Sequence, residues 1–560
     1  MMTSLQAISS LDGEAAKQQC WDLLALEASL THLVAQWTTS GGQAQVLGTF
    51  CQHEVRLRTA RETLADVCIH LQQTLPLALV TMVALDDRAR TGTYLLRYVF
   101  GLEKNRFCVS VETEIPHGPD DELTYQSITP AFPAANWYER EAHDLFGLIP
   151  LGHPDPRRLM LHRHWPDEVR PLRRDVPLTA QPPFLPDEEE FRNRTSGEGL
   201  LEIPVGPIHA GIIEPGHFRF SAVGEHIVNL EARLFYTHRG IEKQCEGLSV
   251  QQALFLVERI CATCTISSTL AYCQALENLA QTGPVLPARA AYLRVIYAEL
   301  ERLYNHIGDI GNICAGIGFH AGTQSGAWLK ETLLRTYERM LGSRYLFGLI
   351  TPGGVKRDLS DAACSVLQET LKQIQHEFHS VLRRIRDNEW VMERFTGTGI
   401  LTKQTAHDLG AVGVAARASG IDRDSRRDAP YAAYKELQPE TIPTLPSGDV
   451  AARLLIRAEE VNTSFKLLFT ALQHLPQGPL AIPLGKLPAY ESSLSLTESA
   501  RGANCHWVMT GPGNTLYRYR IRTASYANWP LVLRAALNNI VPDFPLINKS
   551  FELCYSCLDR

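Results

Sequence analysis

The sequence predicts an α+β N-terminal domain followed by a mainly α-helical domain with small β elements. Three observations predict it. β-Rich runs accompany one helical period in the first third of the chain. A proline-rich, acidic stretch then interrupts the pattern. Beyond it, long apolar stripes at helical spacing dominate. At 560 residues, three or four domains are expected at about 150 residues each.

The elements follow in order. Residues 1–19 form a flexible N-terminus. Residues 20–178 form the α+β domain: Glu62–Thr74 (ETLADVCIHLQQT) has helical period, and Tyr94–Val99 and Phe107–Val111 are strand-like. Residues 179–199 form a linker, where three prolines precede the acidic run Asp187–Glu190, expected to be solvated. Residues 200–560 open with a short β-like stretch and turn helical. Leu293, Ile296, Tyr297, Leu300, Leu303, Tyr304, Ile307 and Ile310 recur at i, i+3, i+4, i+7, with Glu299, Glu301 and Arg302 off that stripe. A second long helix is predicted over Leu359–Phe395, which holds neither Gly nor Pro. Strands or loops are expected over 480–525, then a last helix near 529–540.

Composition limits the function. Hydrophobic residues make up 45% and charged residues 21%, the balance of a globular protein with a sizeable core. The net charge of −7 offers no global positive field for nucleic acid. No apolar run reaches the roughly 18 residues of a spanning helix. The start MMTSLQAISSLDGE has no signal-peptide pattern, so an intracellular chain, soluble or peripheral, is expected. There is no phosphate loop, and GIGFHAG (316–322) lacks dinucleotide-binding spacing.

The thirteen cysteines are an odd number in a chain that needs no disulfide framework. Cys20, Cys51, Cys68, Cys108, Cys245, Cys273, Cys314, Cys364 and Cys505 are scattered and expected to be small buried hydrophobes. The other four form two Cys-x-x-Cys pairs, Cys261 with Cys264 and Cys554 with Cys557, 290 residues apart. The first pair lies in a helical-looking stretch, where a spacing of three puts both sulfurs on one face. Four thiolates complete a coordination sphere. Structural zinc fits poorly, because its pairs usually lie about 15–20 residues apart. No ferredoxin-type cysteine run is present. A bimetallic thiolate site between two remote segments remains a third option.

Seven motifs occur in order: GPIHAGIIEPGHFRF (206–220), FYTHRGIEK (235–243), ERICATC (258–264), ELERLYNHIG (299–308), ARASGIDRDSRRDAPYAAY (416–434), ESARG (498–502) and CYSCLDR (554–560). With these, residues 200–560 resemble the large subunit of NiFe hydrogenases of the formate hydrogenlyase and hydrogenase-4 type, the complex-I-related group 4. YEREAHDLFGLIPLGHPDPRRLM (138–160) and PLRRDVP (171–177) resemble the small peripheral-arm subunit of complex I. The resemblance implies a fusion of the two parts and a Ni-Fe centre. Cys261 and Cys554 would bind nickel terminally; Cys264 and Cys557 would bridge it to an iron carrying CO and cyanide. Cys554 would accept the proton of heterolytic hydrogen splitting, Glu214 would relay it, and Arg501 would stand over the open metal position. His209, His217, His238 and His306 would be structural hydrogen-bonders, with His238, Arg239 and Glu242 in a polar network near a partner.

The implied reaction is reversible, 2H⁺ + 2e⁻ ⇌ H₂, running mostly towards hydrogen release. No iron–sulfur cluster is expected in this chain; clusters would lie in a small iron–sulfur hydrogenase subunit packed against the metal site. A ferredoxin-like electron-transfer subunit and membrane antiporter-like subunits would stand behind it. Formate dehydrogenase is one candidate partner, and formate, carbon monoxide or a ferredoxin is equally open as electron donor. The implied place is cytoplasmic, peripheral on the inner membrane. In this family an extension is removed three residues beyond the last cysteine, where Arg560 stands, so a matured subunit, or one that never carried an extension, is expected.

The sequence departs from the family pattern at several positions. Ala262 and Thr263 replace Gly and Ile between the first two cysteines, and Ser268 stands where a histidine donates to a bridging thiolate. Leu553 replaces a proline before Cys554, and Ala503 replaces an acid. All four ligands are kept while their surroundings change. The alternative reading is a divergent, non-catalytic complex-I-like subunit with a structural or quinone-proximal docking role.

Overall fold

A computed structural model describes residues 23–39, 43–51, 53–102, 104–118, 122–186, 195, 197–210, 213–280 and 286–560. The N-terminal stretch 1–19, Cys20 and the acidic run Asp187–Glu190 lie outside the described residues. The chain divides into two compact units, Met1–Glu188 and Glu189–Arg560.

In the first unit, five strands run β1 (Ala44–Phe50), β2 (Glu54–Thr59), β3 (Leu77–Asp86), β4 (Thr93–Leu102) and β5 (Cys108–Pro116), in the spatial order β1-β2-β5-β4-β3. Within this sheet all pairs are antiparallel except β2 with β5; a separate pair, Thr124–Gln126 with Ile149–Leu151, is parallel. The strand-like run Tyr94–Val99 falls in β4, and Phe107–Val111 falls in β5 apart from Phe107. The helix Leu64–Thr74 buries Leu64, Val67, Cys68 and Leu71, the i, i+3, i+4, i+7 stripe that its period predicts.

The acids of the 138–160 stretch act as local staples. On the helix Asn136–Phe146, the buried Glu139 carboxylate accepts from Tyr98 Oη (2.7 Å), Ser127 Oγ (2.5 Å), Ile128 N (2.8 Å) and Thr129 Oγ1 (2.7 Å). Asp144 Oδ2 accepts the N–H groups of Leu159, Met160 and Leu161 at 2.8, 2.8 and 3.2 Å. Buried acids hold a polar loop in place only where such donors converge.

The second unit is helical around one long helix, Ala288–Ala315, packed against His320–Leu341 and Val450–Gln473. Close approach to the second helix requires glycine: a Cβ on Gly326 would lie 2.7 Å from Gly311 Cα. A three-stranded sheet (Leu200–Val205, His217–Val223, His226–Arg233) opens the unit, and another (Ser492–Ser499, Gly502–Gly511, Thr515–Arg522) precedes its last helices.

Two helices differ from expectation. The helix predicted over Leu359–Phe395 is two, Asp361–Arg386 and Glu389–Phe395, because Asn388 caps the second by accepting Val391 N–H. The helix placed near 529–540 spans Ala524–Ala535, and Phe544–Phe551 and Tyr555–Asp559 follow it. Glu299, Glu301 and Arg302 are 0%, 2% and 1% exposed, since the middle of the central helix is buried around its whole circumference.

These polar residues form a buried ionic chain along one helix face. Arg426 pairs with Glu299 at 3.1 Å; Arg302, Arg417 and His306 converge on Glu460 at 3.1, 2.5 and 2.9 Å; Arg501 reaches Asp309 at 3.0 Å. Burial opposes ionisation of Glu460, but Arg417, His306 and Arg302 hold it well below the usual carboxylate range. Removing one partner of such a cluster leaves uncompensated buried charge. Glu460→Gln is expected to cost about 3–5 kcal/mol, read as a lowered denaturation midpoint of the purified chain.

Among the described residues no helix is long and apolar enough to cross a membrane. The described cysteines are all buried except Cys51 and Cys554, which are half-buried.

Candidate metal centre

Two short turns bring the paired cysteines together. Cys261–Cys264 does not lie within a helix, as its pattern predicted, but in the turn between the helices Val250–Val257 and Thr265–Leu279. The central helix fixes this turn: Tyr304 Oη donates to Ala262 O (2.9 Å) and Asn305 Nδ2 to Thr263 O (2.8 Å), while Glu301 accepts Ile266 N–H and Ser267 N–H at 2.6 and 3.1 Å. Burial pushes Glu301 up to about 7 despite those donors. The second pair flanks the start of the helix Tyr555–Asp559, with Ser525 Oγ accepting Cys554 N–H at 3.1 Å and Thr523 Oγ1 donating to Cys557 O at 2.8 Å.

Cys261 Sγ lies 3.1 Å from Cys554 Sγ. The sulfurs of Cys261, Cys554 and Cys557 all lie within 4.8 Å of one another; the predicted fourth ligand, Cys264, stands outside that mutual set, with its sulfur 3.9 Å from Thr263 Oγ1. Hydrogen bonds from Cys264, Cys554 and Cys557 hold Cys261 well below the ordinary thiol range, and its own hydrogen bond pushes Cys554 and Cys264 up. Three soft sulfurs within 4.8 Å of one another, with no carboxylate or imidazole in the mutual set, fit a soft late transition metal rather than a hard cation.

Arg501 sits in the two-residue turn of a hairpin whose strands pair Ser499 with Gly502. Gly502 is needed there: its φ is +126°, and a Cβ would lie 2.7 Å from Gly413 N. Arg501 Nε donates to Glu552 O (2.8 Å) and Nη2 to Asp309 Oδ1 (3.0 Å), while Nη1 is buried without a partner. Burial works against its charge, but Asp309, Cys264, Glu552 and Cys554 outweigh it and keep Arg501 protonated. A fixed cation with one uncommitted donor beside the thiols fits a centre that binds a small anionic or polarisable ligand.

Glu214 is half-buried and lies on the second cysteine turn, accepting from Ser556 N (3.0 Å) and Ser556 Oγ (2.5 Å). The histidines bond to protein groups: His209 to Gly216 O, His217 to Gly206 O, His238 to Asp559 O and His306 to Glu460.

The sequence placed Arg239 in a polar network but did not show that it ties the two turns together, and it singled out neither Asp559 nor Asp309. Arg239 donates from Nη1 to Arg259 O (2.8 Å) and from Nη2 to Ile260 O (2.7 Å) and Ser556 O (3.0 Å), while its N–H reaches Arg560 O (2.8 Å). Asp559 accepts from Phe235 N, Thr237 N and Thr237 Oγ1 at 3.1, 2.9 and 2.6 Å. The signal for Asp309 was present: with Glu299, Arg302 and His306 it repeats at helical spacing, a polar stripe on an otherwise apolar helix.

Glu242 is buried against Arg518, Arg520 and Arg560 at 2.8, 3.2 and 3.0 Å. Burial alone would raise it, but the three arginines hold it down from 4.5 to about 2. A carboxylate lowered on folding stabilises fully above its unfolded value, and that stability is lost as pH falls through the folded one. Hydrogen exchange of residues 554–560 should lose protection between pH 4.5 and about 2. In Glu242→Gln the segment should be less protected at neutral pH and nearly flat across that window.

Two families match the chain. The one described as the respiratory-chain NADH dehydrogenase 30 Kd subunit matches residues 57–182, and the 49 Kd subunit matches 317–493. Formate hydrogenlyase subunit 5 of Escherichia coli (strain K12) is 37% identical over 480 residues, 85% of this chain and 83% of that protein. Hydrogenase-4 component G of the same strain is 35% identical over 479 residues, 85% of this chain and 82% of that protein. The NADH-quinone oxidoreductase C/D protein of Edwardsiella ictaluri (strain 93-146) is 28% identical over 561 residues, 89% of this chain and 91% of that protein. With its 30 kDa-like and 49 kDa-like parts fused in one polypeptide, the chain belongs to the family of complex-I-related hydrogenase subunits that includes formate hydrogenlyase subunit 5 and hydrogenase-4 component G.

Proposed function

We propose that the chain is the catalytic large subunit of a membrane-associated, energy-converting NiFe hydrogenase complex, reducing protons to hydrogen with electrons from an adjacent iron–sulfur subunit. The convergence of Cys261 and Cys554, 293 residues apart, at 3.1 Å is the observation that carries this reading. Cys261, Cys264, Cys554 and Cys557 would hold nickel and iron, and that centre, when bound, supplies the splitting and re-formation of hydrogen. Cys554, half-buried, holds a proton at its sulfur. Glu214, bonded to Ser556 between the two last cysteines, exchanges that proton with the outside. Arg501 holds a permanent positive charge beside the thiols, where preorganised charge is worth most. Residues 20–178 form the complex-I-like part, 179–199 the linker and 200–560 the hydrogenase part, docked peripherally on the cytoplasmic face with ferredoxin-like and membrane antiporter-like partners.

A second reading, a non-catalytic complex-I-like subunit, is favoured by the C/D relative that matches 89% of the chain. Elemental analysis of the complex purified from a host with hydrogenase maturation factors separates the two. Nickel together with iron is expected. Absence of both supports the docking subunit, and zinc alone supports a metal-stapled scaffold.

A further inference from the structure

Deepening the hydrogenase reading, on which it rests, we infer that the Thr263 hydroxyl sets the electron-donating strength of the Cys261 sulfur, and through it the redox poise of the centre that sulfur holds. Thr263 Oγ1 lies 2.8 Å from Cys261 Sγ, and Thr263 N–H donates to the same sulfur at 3.2 Å. The hydroxyl also stands 3.9 Å from Cys264 Sγ. Among the described residues these two sulfurs are its hydrogen-bond partners. Cys554, only 3.1 Å away, receives one backbone N–H, from Cys557 at 3.4 Å. The two neighbouring sulfurs are therefore unequal.

Cys261, unlike the proton-holding Cys554, would bind metal as a thiolate with no proton to give, so the hydroxyl is the donor in this contact. Hydrogen bonds to a charged acceptor are the stronger kind, and those made to metal-bound sulfur draw electron density away from the metal. The contact is held rather than incidental, because Asn305 and Tyr304 clamp the carbonyls of Thr263 and Ala262 from the central helix. Ser268, in the helix that follows, supplies no substitute: its Oγ is buried without a partner.

The test uses the assembled complex carrying Thr263→Val, which replaces the hydroxyl by a methyl group of similar shape, and Thr263→Ser, which restores it. Nickel and iron content, the infrared bands of the CO and cyanide on iron, and the midpoint potential are measured together. In Thr263→Val, metal content should be unchanged, the CO band should move to lower wavenumber and the potential should become more negative. Thr263→Ser should return both to the wild-type values. Unmoved bands and potential in a metal-loaded Thr263→Val overturn the inference alone. Should that variant take up no metal, Thr263→Ala is measured in the same way; metal loss there as well, with Thr263→Ser loaded, makes the residue structural and also overturns the inference. A wild-type complex without nickel overturns the hydrogenase reading itself, and this inference with it.

Discussion

Cys557→Ala should emerge from a maturation-competent host folded, free of nickel and without measurable hydrogen–deuterium exchange. Cys557 is fully buried, and its sulfur lies within 4.8 Å of those of Cys261 and Cys554. Removing it takes one of four soft donors from a site with no carboxylate or imidazole to stand in. The fold should survive, because the C-terminal segment is held by contacts that do not involve the sulfur. Asp559 keeps three donors from Phe235 and Thr237, and Arg560 keeps Glu242 and Ile521 O at 3.0 and 2.6 Å. Cys264→Ala should behave in the same way. Cys505→Ala and Cys273→Ala remove equally buried thiols outside the cluster and should retain both metal and exchange. Exchange at the wild-type rate in Cys557→Ala would refute the site assignment.

The elements that the sequence made legible are those whose side chains report a local period. The apolar stripe of Leu293–Ile310 and the β-rich run of 94–99 fall within the elements they predict, and the run 107–111 starts one residue before its strand, Cys108–Pro116, because burial against one layer selects residues at that spacing. The same rule says nothing of what Glu299 and Arg302 meet. A polar residue off the apolar stripe normally meets solvent, but here Arg426 and Glu460 meet it instead, and those partners lie more than 120 residues away along the chain. The Cys261–Cys264 spacing was also ambiguous in principle. A separation of three puts two sulfurs together on a helix and in a tight turn alike, and the choice was made by Tyr304, Asn305 and Glu301, which bind the turn from the central helix. Arg239 was recognisable as part of a motif, yet its reach to Ile260 O and Ser556 O depends on two backbone carbonyls, which leave no trace in residue identity.

Arg501→Lys should slow hydrogen–deuterium exchange by about 10²–10³-fold while leaving nickel content and stability close to wild type. This change keeps the charge and alters the shape. Arginine spends two arms of its guanidinium on Glu552 O and Asp309 and leaves Nη1 uncommitted, an arrangement that a planar fork permits and a single ammonium does not. Lysine keeps the positive charge, so Asp309 is not stranded; it also retains Arg457 at 3.6 Å. Arg501→Ala is a poorer probe, because it mixes two effects. Asp309 is held down to about 2 chiefly against its own burial by Arg501, and deleting that partner leaves buried charge at a cost of up to about 3–5 kcal/mol. Pairing the changes resolves them: Arg501→Ala with Asp309→Asn removes the stranded charge and should recover most of the stability, yet exchange should stay slow because no cation faces the thiols. If the double variant instead regains exchange along with stability, Arg501 serves only to neutralise Asp309, and its role beside the metal centre falls.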